Sequence, residues 1–311
     1  MNHTVMLTVR YAQKVLNLTN RCVSFRLEKE RYTPYTELHG KWFCPAGTEI
    51  AEVVAVILYI DGKIKHYGYP TSIGFSNQNG CQMLEVSSLG YSAQLLTNQC
   101  PDGLVTDVNL TSLVAKMPII PGVSYQAGTP TVNYVNYYDG TSAWDAIVAY
   151  SLRAGGHFPY LQGYNMIRTD PAASAEINLM SNQLASRQNG SDYQKLISRI
   201  SEKDVDGTPE AFVITNGLTT SRLIVRTKEI NFDREWIMDP DEGLKHRINY
   251  SMRAMFFDSF SWRDYTDCDL LDSLSVGDAG FKGEIDRIRI TASAKNGFVT
   301  TVWCYHDGYC V

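Results

Sequence analysis

Several carboxylates stand close together near the C-terminal end of the chain, where they could bind a cation. The group comprises Asp264, Asp267, Asp269 and Asp272, with Cys268 between them. Carboxylate oxygens are the ligands that Ca²⁺ prefers, but an EF-hand loop also needs a glycine at its sharp turn and a glutamate at its end. Both are missing here, and the apolar Leu270 and Leu271 interrupt the group as a short helical turn would. We therefore expect a solvated acidic face instead of a calcium site.

A second group of carboxylates could act as a general acid and base. It comprises Glu235, Asp239, Asp241 and Glu242. Paired carboxylates of this kind hydrolyse glycosidic bonds. Pro240 favours another interpretation, because proline fits the first turn of a helix and acidic side chains stabilise the positive end of the helix dipole. We expect the start of a helix here.

The other residue types that serve in catalysis lack the spacing that catalysis requires. The six histidines are isolated, and the chain contains no zinc-protease motif, nucleophile elbow or phosphate-binding loop. Gly155-Gly156 fits a helix cap better than a phosphate loop, since no suitable lysine or serine follows. We predict that the protein is not an enzyme and has no catalytic, cofactor-binding or metal-binding residues and no cofactor.

The seven cysteines are scattered along the chain and include no Cys-x-x-Cys pair, so a structural zinc site has no support. We expect reduced thiols in a protein that folds in the cytoplasm. Cys304 and Cys310 lie close enough in sequence to form a bridge or to bind a partner, and this alternative stays open.

Tyrosine is abundant, with 19 residues. A group of them lies around the centre of the chain, namely Tyr134, Tyr137, Tyr138 and Tyr160. Tyrosine buries a large area at protein interfaces while it keeps a polar tip. We expect these side chains to serve an interface, although carbohydrate binding and core packing would use the same residue type.

Charge and length exclude several classes of protein. With 28 basic and 33 acidic residues the net charge is −5, which argues against a dedicated nucleic-acid binder but would suit a conduit that DNA passes without sticking. No apolar run is long enough to span a membrane. The N-terminus lacks the features of a signal peptide, so export is not expected. The 311 residues suggest two or three structural units.

The N-terminal third has the alternating pattern of β-strands, with one face of each strand covered. The segments that alternate are Thr4–Arg10, Cys22–Leu27 and Gln82–Ser88. Ile50–Ile60 is almost continuously apolar and is expected to be buried on both faces. Asp61-Gly62 then supplies a two-residue hairpin turn, because both residue types tolerate positive φ.

The middle of the chain has helical periodicity. Tyr91–Asn98 predicts a short helix that ends before Pro101, and a helix is expected around Leu110 to Val114. Ser142 can cap a further helix that ends at Gly155-Gly156. A strand over Tyr164–Thr169 follows, and then Asp170-Pro171 predicts another helix. That helix would carry Ile177, Met180 and Leu184 on one face.

The last third returns to strands. Leu196–Asn216 fits either a helix or a hairpin turning at Asp206-Gly207, and we favour the hairpin. A strand is expected over Arg222–Phe232, and a helix that starts at Pro240 and continues to Phe256. Asn296-Gly297 predicts a final hairpin that joins Ile285–Ala294 to Phe298–Tyr305.

This order of elements resembles the Mu-like phage tail baseplate hub proteins, a family that includes prophage tail proteins of Gram-positive bacteria and is related to the N-terminal part of type VI spike proteins. The resemblance covers most of the chain from about residue 50. Ser88 departs from the pattern, since hubs commonly carry a basic residue there. The matching segments are Tyr59–Pro70, Gly80–Ser88, the helix Tyr91–Asn98, Pro101–Val114, Gly122-Val123, Ser142–Gly156, Pro159-Tyr160, Asn165–Arg168 and Phe281–Ile290.

The resemblance implies an α+β, β-rich fold with two tail-tube-like β-barrel domains (residues 1–118 and 193–311, the second with a flanking helix) and an inserted small α/β domain (residues 119–192). It also implies a homotrimer whose six barrels form a pseudo-hexameric ring. The implied partners are the tail tube protein, the central spike, wedge or peripheral baseplate proteins and possibly the tape measure protein, in a virion tail assembled in the host cytoplasm. DNA would pass through the lumen without specific binding.

Two other functions stay open. One is a tail-tip peptidoglycan hydrolase, which would need a recognisable active site. The other is a carbohydrate- or receptor-binding tail protein that uses the tyrosines. Both differ from a hub in chemistry, because each needs a ligand site within the chain.

Overall fold

The computed structural model describes residues 3–45, 47–48, 52–78, 80–101, 103–138, 140–172, 175–220 and 222–306. The strands are β1 Val5–Tyr11, β2 Val15–Thr19, β3 Cys22–Glu30, β4 Thr36–Phe43, β5 Val53–Ile60, β6 Lys63–Gln78, β7 Cys81–Gly90, β8 Gly103–Val108, β9 Ser124–Tyr125, β10 Val132–Tyr137, β11 Tyr160–Gln162, β12 Met166–Arg168, β13 Glu176–Leu179, β14 Leu184–Ser191, β15 Arg199–Glu202, β16 Phe212–Thr215, β17 Thr227–Ile230, β18 Phe256–Trp262, β19 Ser273–Val276, β20 Phe281–Glu284, β21 Arg287–Ser293 and β22 Gly297–Tyr305. The α-helices are α1 Leu110–Val114, α2 Ala143–Gly155, α3 Gly217–Thr220 and α4 Pro240–Met252, and 3₁₀ turns cover Tyr91–Leu96, Ser181–Gln183, Arg234–Trp236 and Gly277–Ala279.

An eleven-stranded sheet unites the two ends of the described chain. Its strand order is β14-β18-β22-β21-β3-β4-β7-β6-β5-β1-β2. The antiparallel pair β3 and β21 joins the N-terminal to the C-terminal strands, with Leu27 opposite Ile290. The β-rich α+β class is thus confirmed. Both regions predicted as barrels contribute to this one curled sheet.

The predicted hairpins are confirmed, and their turns have the required backbone. Asp61 and Gly62 have φ of 52° and 77°, the left-handed pair of a two-residue turn between β5 and β6. Gly297 likewise has φ of 66° between β21 and β22. In the ambiguous segment, β15 and β16 pair antiparallel as the hairpin interpretation expected. Residues 50 and 51 of the predicted apolar strand lie outside the described residues.

Three hydrophobic clusters form the core. The first fills one face of the sheet with side chains from both ends of the chain, such as Leu58 and Phe260. The second surrounds α2 and includes Leu95, which the predicted boundary at residue 118 assigns to the first barrel. The third packs α4 against β15, for example Ile248 and Ile200. The division at residues 118 and 192 stays a prediction.

The predicted helix after Asp170-Pro171 is wrong. Residues Glu176–Leu179 form strand β13, which pairs parallel to β19, and β14 pairs antiparallel to β18. Ile177 and Leu179 alternate toward the first core, as a period of two requires, whereas Met180 of the predicted helical face is 49% exposed. Strand pairing with residues about a hundred positions away overrides the local pattern.

Two other predicted elements are shorter than expected. The strand predicted over Arg222–Phe232 is limited to β17. Helix α4 ends at Met252, and Phe256 already begins β18, where it pairs with Ser191. In contrast, α2 has the predicted termini: the Ser142 side chain accepts from the Asp145 amide, and Gly156 takes the left-handed cap conformation.

Candidate functional site

The aspartate group near the C-terminal end forms ion pairs and hydrogen bonds with residues far away in the sequence. Asp264 accepts from Nε2 of His3 at 3.0 Å, and Asp267 accepts from Nζ of Lys63 at 2.7 Å. Asp269 pairs with the buried Lys29. Within the described residues no group of histidine, cysteine and acidic side chains has the arrangement of a metal site. The carboxylates instead link this segment to distant parts of the fold.

The last two aspartates of that group bind backbone amides. Asp269 accepts from the amide of Gly163 at 2.6 Å, and Asp272 accepts from the amide of Ala175 at 2.9 Å. Asp272 is buried, which a solvated face would not allow. The expectation of a solvated acidic face is therefore wrong for Asp272, because the amide of Ala175, far away in the sequence, binds one of its oxygens. Asp264 and Asp267 stay partly exposed, with 47% and 39% of their side-chain surface accessible.

The second carboxylate group divides between two environments. Asp241 and Glu242 lie in the first turn of α4, as predicted. Glu235 instead lies in a 3₁₀ turn and is 8% exposed. Burial, and then the neighbouring Asp233, raise the pKa of Glu235 to about 8. Sequence reasoning treated Glu235 as part of a helix start, and nothing in the local pattern signalled its burial.

An aromatic cleft lies beside Glu235, where three parts of the fold meet. We define the aromatic cleft by Tyr32 after β3, Trp144 on α2, Phe158 after α2, Trp236 in the 3₁₀ turn and Tyr250 on α4. It has a volume of about 410 Å³. The rings of Phe158 and Tyr250 are stacked, with centroids 5.4 Å apart, and Tyr32 meets Phe158 edge-on at 5.0 Å. The aromatic groups are therefore fixed by one another.

The aromatic cleft continues into an adjoining cavity of about 310 Å³, which shares Tyr32, Phe158 and Tyr250 with it. The Arg253 guanidinium lies 3.8 Å from the Tyr250 ring centroid and donates to the Tyr250 carbonyl oxygen at 2.7 Å. His246 lines both volumes, and burial followed by Arg247 lowers its pKa to about 4. This imidazole is therefore neutral at physiological pH.

Two of the four tyrosines predicted at an interface lie in the cores. Tyr137 and Tyr160 are buried, at 4% and 2% exposure, and pack in the cores. Tyr134 is partly exposed, but its hydroxyl group contacts Met238 and Asp239 within the same chain. Tyr137 and Tyr160 therefore fit the core-packing alternative. Tyr134 and Tyr138 are partly exposed and lie outside the core clusters, so an interface stays a prediction for these two.

The polar face of the large sheet carries balanced charge. Its charged residues on β3, β4, β7 and β21 are Arg26, Lys41, Arg287 and Arg289, together with Glu28, Glu30, Glu37 and Glu85. Glu28 accepts from Arg287 at 2.8 Å and from Arg289 at 2.7 Å. Burial acts against ionisation of Glu28, but these two hydrogen bonds hold its pKa below the ordinary value. Over these four strands the face is polar without a strong excess of either charge.

The outermost strands of the sheet, β2 and β14, each have one edge without a strand partner in the described structure. Strand β14 has no buried residue, and Val15 on β2 is 58% exposed. Open strand edges present unpaired amides and carbonyls, which another chain can bind. These edges are candidate contact surfaces.

The buried histidine and the thiols have structural roles. His66 is fully buried and bonds Thr36 and Ser88, each at 2.8 Å. Ser88, where the sequence departs from the hub pattern, is thus buried and bonded to this imidazole. The six cysteines in the described residues are free thiols. Cys304 is buried, whereas Cys310 lies outside the described residues, so a bridge between them stays a prediction.

No protein-family profile matches the sequence, and no curated protein is significantly similar to it. Solved structures are similar over the whole chain. A tail protein from Neisseria meningitidis MC58 superposes with a TM-score of 0.69 at 15% identity over 98% of both chains. The 43 kDa tail protein of prophage MuSo2 from Shewanella oneidensis superposes with a TM-score of 0.70 at 12% identity over 100% of both chains.

A third similar structure belongs to a related machine. It is an Escherichia coli component of the type VI secretion system, with structural similarity to the T4 tail proteins gp27 and gp5, and it superposes with a TM-score of 0.55 at 10% identity over 98% of this chain and 78% of that one. The described chain therefore has the tail-tube-like fold of phage tail proteins. Among the described helices, none is long and apolar enough to cross a membrane.

Proposed function

We propose that this protein is a structural subunit of the baseplate hub of a phage or phage-derived tail. The whole-length likeness to two tail proteins carries the proposal. In this role three copies form a pseudo-hexameric ring that joins the tail tube to the central spike, with wedge or peripheral baseplate proteins outside and the tape measure protein as a further contact. The subunit assembles in the host cytoplasm and resides in the virion tail.

The open edges of the sheet support a ring. Edge strand β14 of one subunit and edge strand β2 of the next could pair, which would satisfy backbone groups on both. A repeated head-to-tail contact of this kind closes into a ring when the rotation between copies allows it. The balanced polar face of the sheet suits the lumen, since it offers no basic stripe to retain DNA.

Light scattering of the purified chain, with and without the tail tube protein, tests the ring. We expect the mass of a trimer, or assembly with the tube protein. Val15→Lys places a charge on the β2 edge and should raise the concentration needed for assembly by about tenfold, the equivalent of roughly 1.4 kcal/mol. Val205→Lys is the matched control, because Val205 is 75% exposed in the turn that follows β15.

A monodisperse monomer at high concentration in the presence of tail proteins would refute the ring. If Val15→Lys and Val205→Lys changed the concentration needed for assembly equally, the proposed contact through the β2 edge would be refuted. We also propose that the protein is not a peptidoglycan hydrolase, and a turbidity assay on bacterial cell walls checks this directly. Clearing of the suspension by the purified chain would contradict the structural role.

A further inference from the structure

The aromatic cleft and its adjoining cavity carry opposite charges at their two ends. Asp145 and Glu235 line the end beside Trp144 and Trp236. Glu235 is largely protonated near neutral pH, so the exposed Asp145 supplies the charge there. Arg247 also lies at this end, but it forms an ion pair with the buried Asp233. Arg153 packs on Trp236 but does not line the cleft. Asp145 is therefore the exposed charge that this end offers to a bound group.

The adjoining cavity is basic. No carboxylate lines it among the described residues, and its guanidinium groups belong to Arg31 and Arg253. Arg31 pairs with Asp286 and His306 pairs with Asp258. Arg253 differs, because no described carboxylate lies within ion-pair distance of it. Its guanidinium is thus the group most available to an external anion.

We propose that the aromatic cleft and the adjoining cavity together bind an extended segment of a partner protein, with an aromatic side chain in the middle, a basic residue toward Asp145 and an acidic residue toward Arg253. The charges at the two ends argue for this occupant, since a segment with both signs complements both ends at once. The apolar walls between them accept the central side chain.

A nucleic acid fits the same surface less well. Base stacking needs a free aromatic face, but Phe158 and Tyr250 stack on each other and Arg253 covers Tyr250. Asp145, at the end beside Trp144 and Trp236, would also repel a phosphate backbone. The proposal rests on the proposed function only for the source of the segment, which would be another tail component; binding itself does not require the ring.

Fluorescence anisotropy with three labelled peptides tests the proposal. Each peptide has blocked ends and a central tryptophan flanked by alanines, and the outer residues are lysine and glutamate, two lysines, or two glutamates. Because a peptide can lie in either direction, the two like-charged peptides are the controls. We expect the mixed peptide to bind about tenfold more tightly than either control, and replacement of its tryptophan by glycine to abolish binding.

A charge reversal gives an internal control. Arg253→Glu should weaken the mixed peptide about tenfold and make the two-lysine peptide the tightest binder. Arg263→Glu is the matched control, since Arg263 is exposed beyond β18 and does not line the cleft. A change of preference between peptides on one protein cannot arise from misfolding alone, and circular dichroism of each variant checks the fold.

Several outcomes would overturn the proposal. These are absence of binding by the mixed peptide at millimolar concentration, equal affinity for the three peptides, and an unchanged preference in Arg253→Glu. Displacement of the peptide by a single-stranded oligonucleotide at a lower concentration would assign the cleft to nucleic acid instead. Light scattering of the same samples reports the ring separately, so failure of peptide binding leaves the proposed function standing.

Discussion

Replacement of His66 by glutamine should remove much of the acid sensitivity of the fold. Burial lowers the pKa of this imidazole to about 3, whereas an unfolded histidine titrates near 6.5. Below pH 6.5 the unfolded state therefore binds a proton at His66, whereas the folded state does not. The stability associated with the neutral ring is complete above pH 6.5 and declines as the pH falls toward 3.

The hydrogen bonds explain why the folded ring stays neutral. The Ser88 hydroxyl donates its single hydrogen to the Tyr69 carbonyl oxygen at 2.8 Å, so Nε2 of His66 must donate to Ser88. Nδ1 then accepts from the Thr36 hydroxyl at 2.8 Å. A second proton on the ring would place a hydrogen against the Thr36 donor, and full burial leaves water no access to it.

The expected magnitude follows from linkage. Each pH unit below 6.5 costs about 1.4 kcal/mol, so His66 should remove about 1.4 kcal/mol of stability at pH 5.5 and about 2.7 kcal/mol at pH 4.5. Glutamine can donate and accept in the same pocket but does not titrate. His66→Gln should therefore lose about 1–3 kcal/mol at pH 7.5 through poorer hydrogen bonds, and then decline less steeply than the wild type.

Urea unfolding at fixed protein concentration, followed by intrinsic fluorescence at pH 7.5, 5.5 and 4.5, measures the difference. A fixed concentration matters because assembly would also stabilise the folded state. His157→Gln is the control, since it removes an exposed imidazole that lies in a loop. The reasoning fails if His66→Gln and the wild type lose stability in parallel between pH 7.5 and 4.5.

Two carboxylates provide further tests by thermal unfolding. The pKa of Glu235 in the folded state is raised to about 8. The stability that its proton contributes is therefore complete below pH 4.5 and is lost as the pH rises toward 8. Glu235→Gln should raise Tm more at pH 8 than at pH 5. Equal shifts at the two pH values would contradict this. The pKa of Glu28 is lowered in the folded state, so its contribution to folding stability is complete above pH 4.5 and is lost on acidification. Glu28→Gln should cost about 2–3 kcal/mol at pH 7, because Arg287 and Arg289 then face each other unneutralised. The control Glu85→Gln removes an exposed pair with Lys41 and should change little; a loss as large as that of Glu28→Gln would show that burial is not the cause.

Local chemistry accounts for the elements that sequence reasoning predicted well. Asp61-Gly62 and Asn296-Gly297 set their hairpins because the turn conformation needs residues that tolerate positive φ. Ser142 and Gly156 set the ends of α2 because both caps act within one turn of the helix. Each of these signals depends on neighbours in sequence, so no knowledge of the tertiary fold is needed to interpret it.

The candidate site could not be predicted in the same way. The aromatic cleft joins Tyr32, Phe158 and Tyr250, which are more than ninety residues apart along the chain. The pKa of Glu235 depends on burial by parts of the fold that its local sequence does not specify. Only β2 and β14 have open edges in the large sheet because β3 and β21, which are more than 250 residues apart, pair and close the edges between its two halves.

By itself, the sequence determined the β-rich composition, the turns, the caps and the lack of recognised catalytic motifs, since all of these depend on residue type and short spacing. Only the tertiary structure decided that residues 176–179 are a strand and that the aspartate group binds lysines and amides. It also decided that His66 stays neutral in the core, and that Asp145 lines the aromatic cleft while Arg253 lines the adjoining cavity. The physical reason is that strand pairing, burial and ion pairing depend on which distant segments meet, and this is a property of the whole fold.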